Sequence, residues 1–174
     1  MITIKTLEPQ DYDRLLAFAK RTFIDTYAEY NTPENMQLHI EKTYTVAALL
    51  QELDLPDTEY SLAYDVENLI GYCKVRCTLH PPELENEKHI ELERLYVDKA
   101  YKGQGVGKKM INHCAENARN NGFEVLWLGV WSRNENALAF YKKLNFQQFG
   151  THTFVLGEDQ QIDFLMKINL NAAV

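Results

Sequence analysis

Three glycines alternate in the segment Lys102-Gly103-Gln104-Gly105-Val106-Gly107-Lys108. Before it, residues 89–97 alternate apolar and polar as a strand does. After it, Val106, Met110, Cys114 and Ala118 recur at i+4 spacing, which predicts an amphipathic helix from Gly105 to Asn121. The chain must therefore build a strand, a tight loop and a helix in succession. Glycines let such a loop approach a ligand closely and aim its N–H groups outward. The helix that starts there adds the positive end of its dipole. Lys99, Lys102, Lys108 and Lys109 share the window, and no acid occurs between residues 99 and 115. The segment reads as an anion site, most simply for a phosphate; a glycine-rich turn with solvated lysines is the plainer alternative. It is not a dinucleotide fingerprint, because no third glycine follows at the required spacing. Nor is it a Walker A loop, because Lys109 stands where Ser or Thr is needed.

Charge narrows the partners. The 174 residues carry 18 Lys/Arg against 25 Asp/Glu, a net charge of −7, which disfavours a general nucleic-acid binder. The deficit is uneven: residues 1–60 hold 5 basic and 11 acidic side chains, and residues 61–174 hold 13 and 14. Apolar residues at 45% and charged residues at 25% are globular values, and a disordered chain is excluded. No apolar run approaches the ~18 residues of a membrane span, and no secretory leader is visible at residues 1–6. Cys73, Cys77 and Cys114 are odd in number and lack CxxC spacing, as expected of three small buried residues in a reducing cytoplasm. None of the five histidines shows ligand spacing, so no metal is expected.

The remaining elements follow from punctuation and period. A strand is expected at 1–7, then a helix from Pro9 through Tyr27. Thr32-Pro33 caps and opens a second helix, and Thr45 caps a short third one through Leu53. Strands at 59–64 and 69–79 flank a hairpin loop at 65–68. His80 to Lys88 reads as a polar surface loop. A buried strand at 124–130, a helix at 134–144 closed by a left-handed Asn145, and strands at 146–156 and 161–169 around Gly157-Glu158-Asp159 complete the order. This is a mixed α/β arrangement around one sheet.

Four separated segments now align with a family. Leu92-Glu93-Arg94-Leu95-Tyr96-Val97, the glycine loop, Asn134 to Phe140-Tyr141, and Asn145-Phe146 resemble the GNAT superfamily of acetyl-CoA-dependent N-acetyltransferases. Two departures stand out: Lys102 replaces the usual Arg or Gln, and Asn145 the usual Gly. The resemblance implies one α/β (α+β) domain over 1–174. Its central sheet would be mixed and mostly antiparallel, of about seven strands, splayed at the fourth and fifth and flanked by about four or five helices. Phe23, Asp25-Thr26-Tyr27, Asn31, Pro33-Glu34-Asn35-Met36, Trp127-Leu128-Gly129-Val130-Trp131, Asn134-Glu135-Asn136-Ala137 and Tyr141-Lys142-Lys143 are further similar to bacterial PaiA-type polyamine acetyltransferases. That narrower resemblance implies spermidine or spermine as acceptor, in the cytoplasm, with a monomer or a homodimer.

The resemblance also implies roles. The backbone of Leu95, Tyr96 and Val97 would pair with the pantetheine arm of acetyl-CoA. The loop Lys102, Gly103, Gln104, Gly105, Val106, Gly107 and Lys108 would hold its pyrophosphate. Asn134 and Asn136 would contact the arm, Asn134 also serving as a helix cap, and Lys143 the adenosine phosphate. Tyr141 is the expected general acid, with a core tyrosine as the plain alternative. An alkylammonium of pKa ~10 must lose a proton before attack; Glu93 is the expected base, with Glu91 on the same strand face as second choice, and ion pairing of one or both with Arg94 or Lys74 is the structural alternative. Asp25, Glu29 and Glu34, with the aromatic faces of Tyr27 and Trp131, would draw in a polycation. Two competing functions remain at this point. One is an N-terminal peptide acetyltransferase whose groove the 80–88 loop would line; the other is a catalytically silent acyl-CoA-binding module.

Overall fold

The computed structural model describes residues 1–156 and 159–171. Seven strands form one sheet: β1 (Ile2–Thr6), β2 (Glu59–Asp65), β3 (Asn68–Arg76), β4 (His89–Val97), β5 (Val125–Trp131), β6 (Gln147–Leu156) and β7 (Asp159–Asn169). Their spatial order is β1-β2-β3-β4-β5-β7-β6. Every neighbouring pair is antiparallel except β4–β5. That parallel pair needs a crossover, supplied by the helix α4 (Val106–Asn120). The other helices are α1 (Tyr12–Tyr27), α2 (Pro33–Thr43), α3 (Val46–Leu53) and α5 (Glu135–Lys143).

The helix boundaries rest on short polar side chains. Thr32 accepts from the Asn35 amide at 3.2 Å and Thr45 from the Ala48 amide at 3.1 Å, each replacing a hydrogen bond the helix cannot make for itself. Asn134 caps α5 through the Ala137 amide at 3.1 Å. Asn145 takes φ 65° and ends α5, as expected of a residue tolerating the left-handed region. Along α1, Leu15, Phe18, Ala19, Thr22 and Phe23 form the buried stripe. Each large apolar member contributes roughly 1.5–3 kcal/mol by leaving water.

The sheet is covered on both faces. On one, α4 and α5 close over Ile70, Cys73, Ile90, Leu92, Leu126 and Leu128. On the other, α1, α2 and α3 close over Tyr60, Leu62, Tyr64 and Tyr72. Cys73 and Cys114 are buried with their sulfurs 3.2 Å apart, and Cys77 is half-buried.

β4 and β5 pair only from His89–Glu91 to Val125–Trp127. Past that point the strands separate, and the sheet opens into a V at its centre. A bulge lies beside the opening. Lys74 faces Arg94 and Val75 faces Leu92, so Glu93 has no partner across the strand. The extra residue reverses the alternation. Leu92, Leu95 and Val97 stay with the α4 side, while Glu91, Glu93, Arg94 and Tyr96 share the opposite face.

Three expectations are corrected. β3 ends at Arg76 rather than residue 79, because its register with β4 runs out at the Arg76–Glu91 pair. The hairpin loop shortens to Val66-Glu67, since Asp65 and Asn68 are themselves paired. The 80–88 loop is not wholly at the surface. A 3-10 turn at Pro82–Leu84 drives Leu84 fully into a cluster with Val125, Trp127 and Leu165. The expected turn residues Gly157 and Glu158 lie outside the described residues. Among the described residues no helix is long and apolar enough to cross a membrane.

Candidate active site

A cleft of about 1140 Å³ follows the V between β4 and β5. It is bounded by α1, the ends of α2 and α3, the glycine loop, α5 and β7.

At one end, Gly103 and Gly105 sit at φ 78° and 80°. A Cβ at either would meet nothing within 4 Å, so bare backbone faces open space. Gly105 is the N-cap of α4, and the first amides after it have no partner within the helix. Lys102 and Lys108 border the same space. Lys99 is also there, 3.5 Å from Asp25. Gly107 differs from its neighbours: a Cβ there would lie 3.1 Å from the Phe140 ring. Its bareness lets α4 and α5 pack closely. The Gln104 side chain is tied to the Ala100 carbonyl at 2.9 Å and does not line the cleft, and neither does exposed Lys143.

Along the middle, Leu95, Tyr96 and Val97 are paired to β3 on one edge only. Their other edge opens into the cleft, ready to pair with an extended ligand. Asn134, Asn136 and Tyr141 face them from α5 and its cap. Tyr141 is half-buried. Burial, with Tyr27 and Cys73 nearby, pushes its phenol well above the usual value, and it stays protonated at neutral pH.

The other half of the cleft holds an alternating charge network. Glu52 pairs with Lys74 at 3.0 Å and Arg94 at 2.8 Å. Lys74, itself fully buried, also contacts Glu93. Arg76 reaches Glu93 at 2.9 Å and Glu91 at 2.6 Å. Three carboxylates thus meet three cations, as burial requires. Burial raises the Glu91 carboxyl above the ordinary range, against the opposing pull of Arg76. Both oxygens of Glu93 are engaged by cations.

Of the expected acceptor residues, Tyr27 and Trp131 line the cleft, with ring centroids 6.1 Å apart. Asp25 lines it too, but at the lysine end. Glu29 and Glu34 are exposed and lie outside. The three acids are therefore not gathered: α1 turns Asp25 towards the loop, while Glu29 and Glu34 fall on solvent-facing turns. The 80–88 loop does not border the cleft, because Leu84 anchors it over Trp127 instead.

Sequence reasoning missed Asp163 on β7. It is 9% exposed and lines the cleft. Burial pushes its carboxyl up to about 6, with His152 opposing and Glu91 adding. One sign was visible: a lone acid inside the apolar strand Ile162 to Ile168. The pairing of Glu93 with Lys74 and Arg94 follows the structural alternative read from sequence, while Arg76 and Glu52 were missed, since only long-range register brings them in. Among the described residues no group of three or more His, Cys, Asp or Glu side chains is placed to hold a metal ion.

Residues 16–146 match the acetyltransferase (GNAT) family. An uncharacterized N-acetyltransferase of Lactobacillus delbrueckii subsp. lactis is 36% identical over 167 residues, 95% of this chain and 96% of that one. The N-alpha-acetyltransferase RimI of Mycobacterium tuberculosis is 33% identical over 104 residues, 60% of this chain and 61% of its own. Among solved structures, the PaiA N-acetyltransferase from Thermoplasma acidophilum in complex with coenzyme A superposes with a TM-score of 0.79 at 22% identity, covering 97% of this chain and 99% of that one. A whole-length relative, a family match over most of the chain and the splayed sheet agree: this chain belongs to the acetyltransferase (GNAT) family and is an N-acetyltransferase.

Proposed function

We propose that the enzyme transfers acetyl from acetyl-CoA to a primary amine of a small polycation, with spermidine or spermine as the acceptor. The reading is carried by one observation: a single cleft has bare, lysine-flanked backbone at one end and desolvated carboxylates at the other. The first end suits a pyrophosphate, the second an alkylammonium.

The residues present fit acetyl-CoA. Gly103, Gly105 and the first turn of α4 would hold the diphosphate with Lys102 and Lys108. The open edge of Leu95 to Val97 would pair with the pantetheine amides, met by Asn134 and Asn136. Bound there, acetyl-CoA supplies an activated thioester carbonyl. A backbone N–H on the same edge would stabilise negative charge developing on the carbonyl oxygen.

The amine must be neutral to attack. We assign its proton to Glu91, directly or through one water, in preference to Glu93. Glu91 has the raised proton affinity, while both oxygens of Glu93 are already engaged by Lys74 and Arg76. Tyr141, kept protonated by burial, would donate to the departing thiolate. Tyr27 and Trp131 would cover the methylene chain.

Peptide N-terminal acetylation is less well supported, because the segment expected to line a peptide groove is packed away on Leu84. The deciding experiment measures thiol release with acetyl-CoA and a panel of spermidine, spermine, a short diamine and a peptide with a free N-terminus. Polyamine turnover is expected. Turnover of the peptide alone would overturn the acceptor assignment.

A further inference from the structure

Gly129 stands on β5, two residues past its last pairing with β4, where the V begins. An ideal Cβ there would lie 3.2 Å from Asp163 Oδ2 and 3.8 Å from His152 Cε1. The missing side chain leaves a notch in the cleft wall. Trp131, directly across from Asp163 in the β5–β7 register, walls one side of it. His152 is paired with Asp163 from β6.

Asp163 is nine-tenths buried, and among the described residues no lysine or arginine pairs with its carboxylate; only the His152 imidazole favours its charge. A buried carboxylate normally has a partner. Every other acid facing this half of the cleft has one: Glu52, Glu91 and Glu93 are all held by Lys74, Arg76 or Arg94. The charged groups felt by Asp163 are Glu91 on β4 and His152 on β6. Glu91 disfavours a negative charge on Asp163 and His152 favours it; the carboxylate also lines the cleft, where a cation can reach it.

We propose that Asp163 is the specificity-determining residue that receives the acceptor's ammonium, in the notch opened by Gly129 and beside the aromatic face of Trp131. It rests on the amine-acetylation reading and adds the anchor that reading lacked, since Glu29 and Glu34 lie outside the cleft. The ligand class is an alkylammonium; an acceptor bearing a carboxylate next to the reacting nitrogen is disfavoured by the Asp163 charge. With the ammonium held there, Glu91 is the neighbouring carboxylate to which its proton passes.

The test compares the wild type with Asp163→Asn and Asp163→Glu at saturating acetyl-CoA and varied spermidine. Asp163→Asn is expected to raise the spermidine KM at least tenfold while leaving the acetyl-CoA KM within twofold. Asp163→Glu, which keeps the charge, is expected to recover part of the loss. An unchanged spermidine KM in Asp163→Asn overturns the proposal, as does an equal rise in both KM values, which is a folding defect. If the wild type acetylates no amine in the panel, the acetyltransfer reading falls instead. Calorimetric titration of spermidine then tests Asp163 alone: binding by the wild type and not by Asp163→Asn supports it, and equal or absent binding in both overturns it.

Discussion

Asp163 Oδ2 lies 3.2 Å from the point where a side chain on Gly129 would begin. The two residues are 34 positions apart on neighbouring strands. A methyl group in that gap is tighter than normal contact and forces the carboxylate to move. Gly129→Ala is therefore expected to raise the KM for the amine about three- to tenfold, equivalent to ~0.7–1.4 kcal/mol. The acetyl-CoA KM should stay put. Steady-state kinetics with each substrate varied in turn checks both halves.

The same carboxylate costs stability. Its folded pKa of about 6 lies above the unfolded value, so the folded state binds the proton more tightly. Stability then falls as pH rises through the window between roughly 4 and 6, and the full cost is present above it. About two pKa units correspond to ~3 kcal/mol, and solvent screening in an open cleft reduces this to ~1–2 kcal/mol. Asp163→Asn should raise Tm by about 3–6 °C at pH 8 and much less at pH 4. Thermal unfolding at the two pH values decides it; an equal Tm at pH 8 contradicts the burial argument.

Tyr141 is held protonated in the cleft, and we propose it as the donor to the departing thiolate. Removing only its hydroxyl leaves the ring packed on Phe146, 5.6 Å away between centroids. Tyr141→Phe should lower kcat roughly 10²-fold with acetyl-CoA affinity intact. Unaltered turnover removes Tyr141 from the acid role.

The three loop glycines should separate by experiment. Gly105→Ala places a Cβ on a residue at φ 80°, a strain of ~1–3 kcal/mol, and puts it in the open space where we propose the diphosphate binds. Acetyl-CoA affinity should drop about tenfold or more. Gly107→Ala instead meets Phe140 at 3.1 Å and should lower Tm first. Coenzyme A titration alongside thermal unfolding distinguishes the two, and identical behaviour of both variants would falsify the division of labour.

Val66 is a β-branched residue at φ 58° in a two-residue hairpin turn, 81% exposed. With φ positive at the first central residue alone, that turn favours Gly there. Val66→Gly should add about 1 kcal/mol and raise Tm by roughly 2–4 °C, with kinetics unchanged.

Local chemistry was legible without coordinates. Thr32, Thr45 and Asn134 mark helix starts because an N-cap needs only its own next three residues, and Asn145 marks a helix end through its left-handed backbone. The glycine loop was legible as bare, lysine-flanked backbone because backbone freedom and lysine density are sequence properties. Leu84 was hidden in a polar stretch, since one apolar residue carries no period. Glu29 and Glu34 looked like partners of Asp25 by composition, yet helix direction sends them to solvent.

Sequence by itself determined the order of elements, their caps and the glycine-rich turn between β4 and α4. Those depend on interactions within a few residues and on a period that survives any tertiary arrangement. Tertiary structure alone decided which charges share the cleft. The unpaired Glu93 bulge turns Glu91, Glu93 and Arg94 onto one face, and the β5–β7 register brings Asp163 to Trp131 and Gly129. Strand register is fixed by burial of whole faces across the sheet, and a shift of one residue would reverse every side chain.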